Sequence, residues 1–142
     1  MFNSLLQSVG LLILRVSFGA MMMVHGLQKL MNFSTFAPNF LDPIGLGKPT
    51  ALAMAIFAEF FCSILLILGL GSRLATIPLI VTMLVAIVMF HGDHPWEKKE
   101  LAACYLSVYV ALLLMGPGAF ALDRFFVGRA KRKSNTASAP KK

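Results

Sequence analysis

An arginine lies inside the first long apolar stretch of the chain, and few folds tolerate that arrangement. The stretch runs from Leu5 to Met31 and carries Arg15, His25 and Lys29 among residues that are otherwise mostly apolar or small. It exceeds the ~20 residues that a helix needs to cross the hydrocarbon core of a bilayer. Arginine at the centre of such a helix costs roughly 2.5 to 3.5 kcal/mol on insertion scales, so it must face the protein interior and find a partner there.

Composition supports a membrane reading. Of 142 residues, 58% are hydrophobic and 13% charged, with a mean hydropathy of +0.78, against about 25% charged in an ordinary soluble domain. Seven of the 13 basic residues fall between Arg124 and Lys142. That is a basic tail beside a membrane, which signals topology and contacts anionic lipid, and it argues against nucleic-acid binding. The two cysteines, Cys62 and Cys104, form no CxxC pair and fall at different depths, so neither a disulfide between them nor a zinc knuckle is expected. No Lys or Arg precedes the first apolar run and no cleavage site follows it, so the segment is expected to stay as a transmembrane helix.

The expected fold is an all-α membrane protein, a four-transmembrane-helix bundle over residues 1–127 with spans at about 5–31, 50–70, 73–90 and 99–115. The connection from Asn32 to Pro49 is rich in Pro and Gly but also holds Phe33, Phe36 and Phe40, and a short interfacial segment fits it better than a free loop. Residues 128–142 read as a basic disordered tail. Charge asymmetry places both termini in the cytoplasm, with 32–49 and 91–98 facing outward.

Helical spacing sets Phe18, Gly19, Met22, Gly26 and Lys29 within about 60° of Arg15, with His25 close by. Glu59 is the one charge of the second span. Counted from the shared cytoplasmic side, Arg15 and Glu59 each lie about 15 Å deep, so the two are expected to pair. Glu100 heads a stripe of small residues with Cys104, Ser107 and Ala111. With His25, Lys29 and His91 it could line a polar cavity that opens outward and has Arg15 and Glu59 at its floor. Plainer roles stand beside these: Arg15 and Glu59 as a register-fixing pair, Lys29 as a snorkelling interface residue, His25 as an interfacial hydrogen bonder, and the methionines as flexible packing. His91-Gly92-Asp93-His94 matches no strong metal motif, and no metal site is expected.

These residues together resemble the DoxX family of small four-helix bacterial membrane proteins. The resemblance rests on Leu14-Arg15, Gly19 and His25-Gly26-Leu27-Gln28-Lys29-Leu30 in the first span, and on Ala58-Glu59, Leu68-Gly69-Leu70 and Ser72-Arg73 around the second. His91, Glu100-Leu101, Gly116-Pro117-Gly118 and Leu122-Asp123-Arg124 continue it. The chain departs from the family pattern at Phe60-Phe61, where Gly-Gly is usual, and at Lys98-Lys99 before Glu100. Relatives include DoxD, a subunit of a quinone-linked thiosulfate oxidoreductase. The resemblance implies a subunit or accessory of quinone-linked or thiol redox chemistry. In it Arg15, His25 and Lys29 would bind a substrate or quinone oxygen, and Glu59, Glu100 and His91 would handle protons. No bound cofactor is visible in the sequence, so a quinone would be a diffusible substrate and a redox partner protein the electron source; a homo-oligomer is compatible with the pattern. The alternative is a non-enzymatic module for small-solute binding or permeation, or a scaffold for a partner protein.

Overall fold

In the computed structural model, residues 2–126 and 128 are described, and their regular structure is helical, without strands. Four long helices dominate: α1 (Phe2–Met31), α2 (Lys48–Leu68), α3 (Ser72–Phe90) and α4 (Trp96–Met115). The expected tail lies outside the described residues except for Gly128.

Local chemistry sets the boundaries. Pro49 occupies the first turn of α2, where its missing N–H removes no helical bond. Gly69 ends α2 in the left-handed conformation, and the Leu70 N–H returns to the Leu65 carbonyl at 2.9 Å. Pro95 is extended and delivers the chain into α4, and Gly116 closes that helix with φ 81°. Within α3, Pro78 is accommodated without a break, and the Thr82 hydroxyl donates to its carbonyl at 2.8 Å.

Three helices are long and apolar enough to cross a membrane, over Asn3–Met31, Lys48–Leu68 and Ser72–Phe90. The fourth has the length, at 20 residues, but opens on Glu97, Lys98, Lys99 and Glu100, which shortens its uncharged run. The connection after α1 is folded, as its phenylalanines suggest. Helical turns at Phe33–Phe36 and Ala37–Asn39 bring Phe33 and Phe40 against Leu52 and Ile56 of α2. Asp42 then ties the loop down by accepting from the Leu46 and Gly47 N–H groups at 3.1 and 2.8 Å.

Glycines fix how α1 lies on α2. A Cβ at Gly19 would fall 2.7 Å from Ile67, and one at Gly26 would fall 2.6 Å from the Phe60 nitrogen and 2.7 Å from the Glu59 carbonyl carbon. The two helices therefore run antiparallel at close approach, as small residues permit in membrane bundles. α3 and α4 form the other close pair. Between them lies the core of Leu11, Met22, Cys62, Leu66, Leu79, Met83, Tyr109 and Leu112.

That register corrects the expected Arg15–Glu59 pair. Gly26 is level with Glu59, whereas Arg15 is level with Gly69, at the far end of α2. Leu5 marks neither the start of α1 nor the edge of the membrane. In fact the 30 residues of α1 make a helix about 45 Å long, so its first turns overrun the other helices. Arg15 is 1% exposed, yet among the described residues no side-chain carboxylate holds it directly. Its Nη1 donates to the Pro117 carbonyl and its Nη2 to the Phe120 carbonyl at 3.4 Å. The Asp123 carboxylate supplies the nearby counter-charge. Asp123 also accepts from the Gly71 N–H at 3.0 Å and donates its own N–H to the Gly69 carbonyl at 3.1 Å. One end of the molecule is thereby locked, with the chain after α4 bound across the α2–α3 turn.

The close contact at Gly26 makes a direct prediction. Gly26→Ala should destabilise the folded protein by about 1–3 kcal/mol, the usual cost of an overpacked contact. Gly10→Ala, where a Cβ meets nothing within 4 Å, should not. Thermal unfolding of the two variants in the same detergent checks this.

Candidate functional site

Glu59 lies near the middle of α2, eleven residues after Lys48 and nine before Leu68, or roughly 16 and 14 Å from the two ends. It is 3% exposed. The helix is not regular there: Phe57–Cys62 forms a π-helical turn. Such turns widen a helix by one residue and cluster at functional sites. Glu59 lies within this one and is buried in the bundle interior.

Lys29 answers the buried carboxylate. Its Nζ donates to Glu59 Oε2 in an ion pair whose two side chains are 28% and 4% exposed, so the ammonium keeps partial access to the outside. Lys29 thus does not snorkel away to the helix end; it bends inward, over the close approach that Gly26 allows. A buried carboxylate without such a partner would be far more costly than the pair.

The pair forms one wall of a cavity of about 150 Å³. Met22 and His25 of α1, Met83 and Ala86 of α3, His91, and Lys98, Leu101, Ala102 and Tyr105 of α4 complete the lining. The second π-helical turn, Ala86–Phe90, leads from this wall into His91. His91 and His94 face each other with their Nδ1 atoms 3.2 Å apart, so one ring donates and the other accepts. Tyr105 packs edge-on against Phe18, with centroids 5.5 Å apart, and stands edge-on to His25 at 6.3 Å. Below, Tyr109 donates to the Phe18 carbonyl at 3.4 Å, and with Leu66, Leu79 and Leu112 it fills the interior completely. The cavity is therefore a blind pocket with an exposed rim at His25, Lys98 and Leu101.

Of the six candidate residues, the structure brings together four: His25, Lys29, Glu59 and His91. Arg15 is absent from this cavity and belongs to the locked end. Glu100 is exposed and does not line it. The reason is the rotation of α4. Glu100, Cys104 and Ser107 are exposed, while Tyr105, Tyr109 and Leu112 are buried. The two stripes are one residue apart, and the tyrosines take the interior because their bulk fills it and the Tyr109 hydroxyl reaches the Phe18 carbonyl there. Spacing at i, i+4 and i+7 for Tyr105, Tyr109 and Leu112 was the available signal. Lys98, Met22 and Met83 are also lining residues that residue type alone did not single out. Cys62 is buried, Cys104 exposed, and both are free thiols. Among the described residues, no three His, Cys, Asp or Glu side chains converge as metal ligands.

The Lys29–Glu59 pair is open to a double-mutant cycle. Lys29→Met should cost about 3–5 kcal/mol by leaving a buried charge alone, and Glu59→Gln should also destabilise. The double variant should recover part of that loss, leaving a coupling of about 1 kcal/mol or more in detergent unfolding.

Known proteins give this geometry a context. The family description named DoxX matches residues 10–92. A Mycobacterium tuberculosis protein named "Uncharacterized membrane protein Rv3486" is 30% identical over 132 residues, covering 82% of this chain and 81% of its own. A Bacillus subtilis protein named "Putative oxidoreductase CatD" is 30% identical over 132 residues, covering 92% of this chain and 96% of its own. No solved structure matches.

Proposed function

Since the chain belongs to the DoxX family of membrane proteins, and the matched region holds Lys29, Glu59, His25 and His91, we propose that it is a four-helix inner-membrane protein that binds a quinone ring in the blind pocket and serves a redox system. The observation that carries this reading is the Lys29–Glu59 pair at mid-span on the wall of an open cavity of about 150 Å³. A cavity of that order accepts one six-membered ring, as an engineered cavity of about 150 Å³ accepts benzene. The name of the Bacillus subtilis relative points to the same class of chemistry.

The residues then divide the work. Lys29, held by Glu59, places an ammonium where a quinone oxygen becomes negative as the ring takes up two electrons. His25 and His91 stand at the lining, and their imidazoles pass to the ring oxygens the two protons that complete the quinol. The electrons come from a reduced-sulfur donor or a partner protein. Tyr105 sets an aromatic edge beside the ring position. Permeation is disfavoured by the filled interior beneath the pocket. In the bilayer α4 is the fourth span, with its charged first turn at the outer surface. Both termini are then cytoplasmic, on the side richer in Arg and Lys.

Trp96, the only tryptophan, lies two residues before the lining residue Lys98 and reports binding. A short-chain quinone should quench its fluorescence saturably. Lys29→Met should weaken that binding about tenfold, a loss of about 1.4 kcal/mol. Unchanged affinity in a folded Lys29→Met, or quenching that never saturates, would overturn the site. For the topology, a reporter fused after Lys142 should be active only in its cytoplasmic form.

A further inference from the structure

Two tyrosines one turn apart on α4 face the bundle interior, and only one of them is bonded there. Tyr109 is fully buried, and its hydroxyl donates to the Phe18 carbonyl at 3.4 Å. Tyr105 is 3% exposed and lines the cavity. Its ring is fixed between Phe18, His25 and Tyr109, at centroid distances of 5.5, 6.3 and 5.9 Å. Among the described residues, however, its hydroxyl has no hydrogen-bond partner. A tyrosine hydroxyl at that depth ordinarily finds one. Among the described residues, the polar side-chain atoms that are both sealed in and unpartnered are Arg15 Nε, Ser63 Oγ and Ser72 Oγ. The Tyr105 oxygen is not one of them, so the residue's remaining exposure reaches it through the cavity. The Glu59 carboxylate on the cavity wall lies within electrostatic reach of it. Packing does not call for the oxygen, since phenylalanine would fill the same space with the same ring contacts.

The other polar lining groups are either engaged or peripheral. Lys29 is held by Glu59, His91 faces His94, and His25 and Lys98 are exposed at the rim. We infer that the Tyr105 hydroxyl is the donor that recognises the ligand, selecting a ring with an oxygen acceptor over a hydrocarbon ring of the same shape. The inference rests on the quinone reading of the pocket and names the residue that makes the pocket specific for the ring's oxygen. A carbonyl oxygen at this position accepts the free hydrogen. A hydrocarbon leaves the donor against apolar atoms, which costs as much as the hydrogen bond contributes, or more. Because packing holds the tyrosine ring in place, the donor is oriented before a ligand enters.

The full chain in detergent, with Tyr105→Phe beside the unsubstituted protein, tests the inference. The probe is tetramethyl-1,4-benzoquinone, whose ring has no open position for the exposed Cys104 thiol to add to. Its hydrocarbon counterpart is 1,2,4,5-tetramethylbenzene. Quinone affinity is read from saturable Trp96 quenching, and hydrocarbon affinity from displacement of the quinone. Tyr105→Phe should weaken quinone binding about three- to tenfold, the equivalent of one hydrogen bond, and leave the hydrocarbon bound equally or more tightly. A distorted pocket would weaken both, so an unchanged ratio of the two affinities overturns the role of Tyr105. Tyr109→Phe, which loses the bond to Phe18, should lower thermal stability without moving that ratio. Absence of saturable quenching in the unsubstituted protein overturns the quinone reading itself, and this inference with it. A second measurement needs no variant. The chain has two tyrosines, so ring-labelled tyrosine gives two C–O stretching bands in infrared difference spectra. The quinone should shift one of them and the hydrocarbon neither; two bands that stay in place with the quinone bound overturn the inference.

Discussion

A single carboxylate at the middle of α2 governs the arrangement of the remaining helices. Glu59 sits where neither end of the helix offers water, so its charge must be met from within the bundle. Lys29 meets it only because α1 comes within backbone contact of α2 at Gly26. That contact fixes the register of the first two helices. The register in turn decides which residues reach the interior of the helical bundle and which are carried to its end. Apolar residues of similar volume would hold two helices together at less desolvation cost. The pair therefore sets a specific chemistry at a specific depth, which packing alone does not require.

The two ends of the protein are built differently. At one end, backbone carbonyls, Arg15 and Asp123 form a closed set of bonds that joins α1, the α2–α3 turn and the chain after α4. At the other, side chains of unlike chemistry from α1, α2, α3 and α4 surround space. A bonded base and an open mouth divide the small helical protein between two tasks. The bonded end holds the helices in register while the other end keeps a cavity open among them.

Much of this was legible in the sequence. Apolar runs of spanning length, turn glycines and the prolines located the helices to within a few residues. The need to neutralise a buried Glu made a basic partner certain. Choosing between Arg15 and Lys29 required knowing how far α1 overruns its neighbours, and hydropathy does not mark where a helix enters the membrane. The rotation of α4 was illegible for a related reason. Its inward tyrosines and outward small residues are adjacent in register, and in lipid both kinds of face are tolerated. The π-helical turns left no trace either, since no single residue type calls for them.

Those turns have a consequence for how such a site can arise. Each is equivalent to one residue more than a regular helix needs, so the segment before it is rotated by about 100° relative to a plain helical continuation. Leu52, Ile56, Glu59, Ser63 and Leu66 are all buried and fall within about 40° of one direction on a regular helix, so burial of Glu59 follows from their spacing and the widened turn lies within that face. The inward carboxylate therefore depends on the spacing of these five positions, and a one-residue insertion or deletion inside 57–62 would turn one half of that face against the other. Variation in length at 57–62, and not only variation in residue identity, would then separate chains that keep this chemistry from chains that keep only the fold.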